Sequence, residues 1–420
     1  MKWPISNADF YRINSGEIIE IKNRSKLDEE FYEYALKFKD SAHILTQYLL
    51  DDTDISKLDT YFFPVAYLYR HSIELILKTI GFKYIVNLEP RKAFVKETFH
   101  NLSLILETIT PFIQSLIDKD NDAYTWLVSY FNDINAMDKQ SDSFRYPFGI
   151  SVEKKDLLFE VQKKYSIKLI FDEQTHINLV AFANKMEIAF ELLDSLYQEK
   201  FGSCIYYKKY KPIFLEEGGG YYGQCVVGYK FSFKKFYPYV KAYTESGEYF
   251  HEKICENKSL KDTLFIPMCY LYRNAIELSL KETLFEECSF NFQEAIKHLN
   301  KKKHSILSLW NLIKDEIKEH ANAPEDDITV TNVEKYINQL HNVDGSSDKF
   351  RYPTNKHLDL HFKRKKKFDI DNVNNFFGEL ASFLSAVNTM MSVHNEWKAE
   401  MEAEYRSDMA SYCDISDYYD

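Results

Sequence analysis

Tyr67, Arg70, His71, Glu74 and Lys78 stand at helical spacing, and Tyr270, Arg273, Asn274, Glu277 and Lys281 repeat the pattern in the second half of the chain. At about 100° per residue each set falls within one narrow arc, with Leu, Ile and Ala filling most of the remaining circumference. Such a stripe offers a guanidinium to hold an anion, an imidazole that titrates near neutrality, and a carboxylate to orient it. It also needs partners, because an unpaired buried charge is very costly. Arg70–Glu74 and Arg273–Glu277, four residues apart, can pair along the helix. Two readings follow: a charge network that fixes helix register, or a polar site at a helix interface.

Two further polar blocks recur with the stripe. His100-Asn101-Leu102-Ser103-Leu104 returns as His304-Ser305-Ile306-Leu307-Ser308, placing His100 and His304 at a helix start where they can cap it or bond a carboxylate. Asp138, Ser141 and Phe144-Arg145-Tyr146-Pro147 return as Asp344, Ser347 and Phe350-Arg351-Tyr352-Pro353. The prolines end a helix or turn, and the aspartates and serines suit caps. A turn of this kind fixes Arg145 and Arg351, which can then clamp a phosphate or pair with Asp.

The elements that must carry these residues come in two sets. The recurrent blocks lie roughly 200 residues apart, far beyond the roughly 20–50 of a solenoid unit, so the expectation is one domain present twice and related by a pseudo-twofold. The predicted fold class is mainly α: two tandem homologous helical bundles forming an intramolecular pseudo-dimer. Residues 1–30 read as a β-like lead-in containing Glu17-Ile18-Ile19-Glu20-Ile21. The first bundle spans 31–200, with helices near 29–50, 60–85, 98–119, 122–137 and 174–199. Residues 201–231 read as a Gly/Tyr-rich β-hairpin linker joining Ile205-Tyr206-Tyr207 to Val226-Val227-Gly228-Tyr229. The second bundle spans 232–395, with helices near 234–256, 263–288, 304–319, 331–342 and 371–395. Residues 396–420 form an acidic tail, a frayed helix or disordered.

Composition narrows the function. A chain of 420 residues with only 12 Gly and 10 Pro favours long helices, and 31 Tyr with 32 Phe favours bulky cores or aromatic surfaces. A net charge of −11 gives no global attraction to nucleic acid, which leaves that role to local patches. The six cysteines form no C-x-x-C pair, and no His/Asp/Glu cluster with ligand spacing recurs, so neither a metal nor any other cofactor is expected. No apolar run is long enough for a membrane span or a signal peptide, and a cytoplasmic location is expected. Gly218-Gly219-Gly220 lacks the Gly-Lys-Ser/Thr that a phosphate loop requires. Lys363-Arg364-Lys365-Lys366-Lys367 follows the second Phe-Arg-Tyr-Pro and is either a solvated face or a phosphate grip, while the linker tyrosines can stack bases.

Arg followed by His or Asn inside an all-helical bundle, with a later helix opening on His before a Leu-rich run, resembles the HEPN superfamily. The resemblance covers roughly 31–200 and 232–395. It implies metal-independent ribonuclease chemistry in bacterial anti-phage defence, at an R-x4–6-H motif carried by two copies that meet at an interface. Arg70-His71 and Arg273-Asn274 match the Arg and its polar neighbour. Positions 75–77 and 278–280 hold no His, and the one literal R-x5-H runs from Arg351 to His357. The expected catalytic set is Arg70, His71, Glu74, His100, Arg273, Asn274, Glu277 and His304. The expected RNA-binding set is Arg145, Arg351 and residues 363–367. The competing expectation is a catalytically silent scaffold or immunity subunit that binds a partner protein encoded nearby. A homo-oligomer is compatible with either.

Overall fold

A computed structural model describes residues 3–416 except 15, 25, 53, 158–159, 172–174, 203, 228–234 and 325–326. Each half opens with a short strand followed by a helical pair. In the first half β1 (Ile18–Ile21) leads into α1 (Leu27–Asp51) and α2 (Ile55–Tyr84), the latter capped by Asp54, which accepts from the Ser56 amide. Next come α3 (Leu88–Thr98), α4 (Leu102–Ile117), α5 (Asn121–Asp138), β2 (Phe148–Leu157), β3 (Glu160–Leu169), β4 (His176–Asn178) and α6 (Leu179–Tyr197). The second half runs through β5 (Gln224–Val226), α7 (Tyr237–Glu256), α8 (Lys261–Glu282), α9 (Phe292–Lys302), α10 (Ile306–His320), α11 (Ile328–Asp344), β6 (Lys366–Asp369) and α12 (Ile370–Ser416).

α2 and α8 are central because they are apolar nearly all round. Every residue from Tyr61 to Phe82 is buried, as is every residue from Leu264 to Leu284. α1 packs on both α2 and α8, and α7 packs on both α8 and α2. The strands cross over in the same reciprocal manner. β1 pairs antiparallel with β6, and β5 pairs antiparallel with β4, so each half's opening strand is bound to the strand preceding the other half's last helix. The buried apolar side chains form one continuous core, which residues 31–200 and 232–395 therefore share.

Two expectations need correction, for the linker and for the number of helices. Residues 205–207 do not pair with Val226: Tyr206–Lys209 form a 3-10 turn, and β5 pairs instead with β4, beside which the Glu217 carboxylate accepts from the amides of Thr175 and His176. Residues 228–231 of that linker lie outside the described residues. The extended hairpin is β2–β3, where β-branched and aromatic residues alternate with charged ones over Phe148–Leu169. α3 and α9 were not anticipated, since each is short and mostly exposed. The tail continues α12 to Ser416, with 417–420 outside the described residues. Among the described residues no helix is long and apolar enough to cross a membrane.

Candidate functional site

The recurrence extends to backbone geometry. Phe99 and Lys303, just ahead of the two histidines, have φ of 45° and 50°, and Ser141 and Ser347 have φ of 60° and 64°. Non-glycine residues enter this left-handed region at a cost and need surrounding contacts to hold them there. The contacts match as well. Asp138 Oδ1 accepts from the amides of Asp142 and Ser143 at 2.9 and 3.0 Å, and Asp344 Oδ1 accepts from those of Asp348 and Lys349 at 2.9 and 3.1 Å. Each aspartate thereby shapes the turn that presents Phe-Arg-Tyr-Pro. The helix caps are Asn101 and Ser305, which leaves the adjacent histidines free to point at a carboxylate.

That carboxylate is Glu74 in the first half. Its oxygens accept from Lys78 Nζ at 2.7 Å, from Arg70 Nη1 at 3.3 Å and from His100 Nδ1 at 3.0 and 3.1 Å. The fourth donor comes from the other half: Tyr352 Oη donates to Glu74 at 2.7 Å. Arg70 also pairs with Asp138 at 3.4 Å and donates to the His100 carbonyl. Around Glu277 the set recurs, with Lys281 at 2.8 Å, Arg273 at 3.2 Å, His304 at 3.0 Å and Tyr146 of the first half at 2.7 Å. Each polar cluster is thus completed by the Phe-Arg-Tyr-Pro tyrosine of the opposite half.

Both glutamates are fully buried. Burial alone would raise their pKa values, but the neighbouring His, Lys and Arg outweigh it and hold both carboxyls well below the usual range. Burial, helped by the same glutamates, pushes Tyr352 and Tyr146 well above the ordinary phenol value, so both remain donors. Glu277 favours the charged form of His304, yet burial, Arg145 and Lys281 prevail and its pKa falls below the ordinary imidazole value. Burial also lowers Lys281.

Four expected site residues are walled in. Arg70, His71, Arg273 and Asn274 are completely buried. His71 Nε2 lies 2.9 Å from the Arg351 carbonyl oxygen, which fixes its proton on Nε2, and burial with Arg351 nearby drives its pKa well below the ordinary value. A neutral donor locked onto a carbonyl cannot exchange protons with a substrate, so the acid–base role expected of His71 does not fit this geometry. Arg145 and Arg351 are likewise buried. Arg351 donates to Tyr67 Oη at 2.8 Å, and each guanidinium lies against the Tyr67 ring, which stacks on Tyr270 at 4.6 Å. Both arginines hold the seam between the halves and are not presented to a phosphate as expected.

The polar groups that reach solvent are the histidines. His100 has 28% and His304 36% of the side chain exposed. With Nδ1 turned to the buried carboxylate, Nε2 is the ring nitrogen of His100 left over for general acid–base work. His100 opens onto a pocket of about 570 Å³ whose walls come from both halves. Lys78, Lys92, Lys96 and Phe99 line the first-half wall, and Tyr352, Lys356 and His357 line the second-half wall. Lys78 pairs with Glu74 and Lys92 with Glu89, whereas Lys96 and Lys356 form no ion pair among the described residues.

Residues 363–367 are exposed but partly neutralised within the chain. Lys363 pairs with Asp359 at 3.0 Å, while Lys365 and Lys367 both pair with Glu20 of β1. Sequence reasoning missed the tyrosines as site members although Tyr146 and Tyr352 stand in the recurrent block. It also noted His357 without placing it on a pocket wall. No family model matches the chain, and no curated protein or solved structure matches it significantly.

Proposed function

We propose that this chain is a HEPN-like effector that binds and cleaves RNA without a metal, with the two halves acting as an intramolecular pseudo-dimer. The observation that carries the reading is His100, oriented by buried Glu74 and opening onto a lysine-rimmed pocket built from both halves. In this reading His100 Nε2 takes the proton of a ribose 2′-hydroxyl, and the freed oxygen attacks the adjacent phosphorus. His357 opposite serves as the general acid that delivers a proton to the departing 5′-oxygen, while Lys96 and Lys356 offset the charge on the pentacoordinate phosphorus. The products are a 2′,3′-cyclic phosphate and a 5′-hydroxyl. Anti-phage defence is the cellular setting that the resemblance suggests.

The test is incubation of the purified chain with tRNA and total RNA in EDTA. Wild type should cleave, His100→Ala and His357→Ala should lose roughly 100-fold or more, and the ends should carry cyclic phosphate. Cleavage that survives His100→Ala would overturn the assignment. Arg70→Ala and Arg273→Ala are poor probes, because each leaves a buried glutamate short of a partner. One observation favours the scaffold reading: every arginine of the recurrent blocks is spent inside the protein. A well-folded wild type that cleaves no RNA, alone or with the products of neighbouring genes, would leave that reading.

A further inference from the structure

Where α7 meets the first turn of α12, three donors of different chemistry converge. His251 and Cys255, four residues apart, project from one face of α7, and Asp371 reaches them from α12. His251 Nε2 lies 2.8 Å from Asp371 Oδ1, and Cys255 Sγ lies 3.7 Å from that nitrogen and 4.0 Å from that oxygen. A tetrahedral zinc ion held at about 2.0–2.3 Å by nitrogen, oxygen and sulfur separates its donors by roughly 3.4–3.6 Å. The two sulfur separations are already close to that spacing. The third is a hydrogen bond that would open by roughly half an ångström as the ion replaces its proton.

The chain crowds the carboxylate. Gly16 passes so close that a Cβ there would meet Asp371 Oδ2 at 2.8 Å and Asp369 Oδ1 at 2.5 Å, and those side-chain ends would have to shift. Cys255 is exposed and Asp371 about half so, which gives an ion a way in and leaves room for water as a fourth ligand. The matching residues of α1 and the turn after it, Tyr48 and Asp52, offer no such set, and Tyr48 stacks on Tyr249 at 4.1 Å.

We propose that His251, Cys255 and Asp371 bind one divalent ion of the zinc type, tying α7 to the start of α12 beside the β1–β6 pair. Imidazole with thiolate favours zinc over magnesium or calcium, which prefer oxygen alone. The proposal does not rest on the ribonuclease reading.

The full chain, stripped of metal, would be titrated with Co²⁺ and then Zn²⁺ while the near-ultraviolet thiolate-to-cobalt band is followed and bound zinc is measured by mass spectrometry. One equivalent per chain should bind with a thiolate band, be displaced by zinc and raise the melting temperature. Cys255→Ser should lose the band, and His251→Ala should weaken binding by more than about tenfold, while Cys204→Ser should behave as wild type. Cys255 is exposed, so its variant should fold, and circular dichroism checks that. A wild type without the band, or Cys255→Ser retaining equal affinity and band, would overturn the proposal.

Discussion

The Glu74 and Glu277 clusters share their interior and differ at their rims. Inside, each carboxylate meets the same Arg, Lys, His and cross-half Tyr within a few tenths of an ångström. Outside, Glu74's histidine faces the pocket walled by the short segment Thr354–Leu358 of the second half. At the other end of the seam the first half instead extends the long β2–β3 hairpin, whose Tyr165 backbone is gripped by Gln293 of α9 at 3.0 and 2.8 Å. One layer further in, the first half has His71 where the second half has Asn274. What the two halves share is therefore what the seam needs to stay assembled, and what differs between them is the rim around each histidine. Retention alone marks the seam and not the pocket.

The comparison breaks first at the glutamates. Glu74→Ala and Glu277→Ala each strand a buried Arg and Lys, and each should cost about 3–5 kcal/mol in denaturant unfolding. A loss at one site and not the other would show that the interiors are not equivalent. Tyr352→Phe and Tyr146→Phe remove one hydrogen bond to a buried charge, and each should cost about 1.5–3 kcal/mol. His71→Asn, which installs the residue of the matching position, sharpens the contrast through pH. The folded pKa of His71 lies below the unfolded value of about 6.5, so the unfolded chain binds the extra proton between the two. Stability is full above pH 6.5 and falls as pH drops below it. The variant should flatten this slope, while the Glu74 and Glu277 contribution, present above about pH 4.3 and lost on further acidification, should remain. The smallest effect concerns the lysines. Lys92, Lys96 and Lys356→Gln should lower the salt slope of RNA binding by about 2, at roughly 0.7 per lost contact, and Gln at 363–367 should lower it less.

The helices were legible because the stripe on α2 and α8 is narrow and the rest of each helix apolar, a pattern that only a central position satisfies. The His–Glu and Arg–Glu pairs were legible from spacing and recurrence. The reciprocal exchange was not, because Tyr352 reaches Glu74 and β1 reaches β6 across hundreds of residues, and helical periodicity carries no information about contacts between halves. Burial misled in the other direction. Arg145 and Arg351 have the chemistry of a phosphate clamp, yet a Tyr67–Tyr270 stack absorbs them at the seam.

The central claim is that each cluster is built by both halves, and a double-mutant cycle tests it directly. Tyr352→Phe and Glu74→Gln should couple by about 0.5–3 kcal/mol in unfolding free energy, and so should Tyr146→Phe with Glu277→Gln. The crossed pairs, Tyr352 with Glu277 and Tyr146 with Glu74, should be additive within about 0.5 kcal/mol. Additivity in the first two cycles, or coupling in the crossed ones, would contradict the exchange.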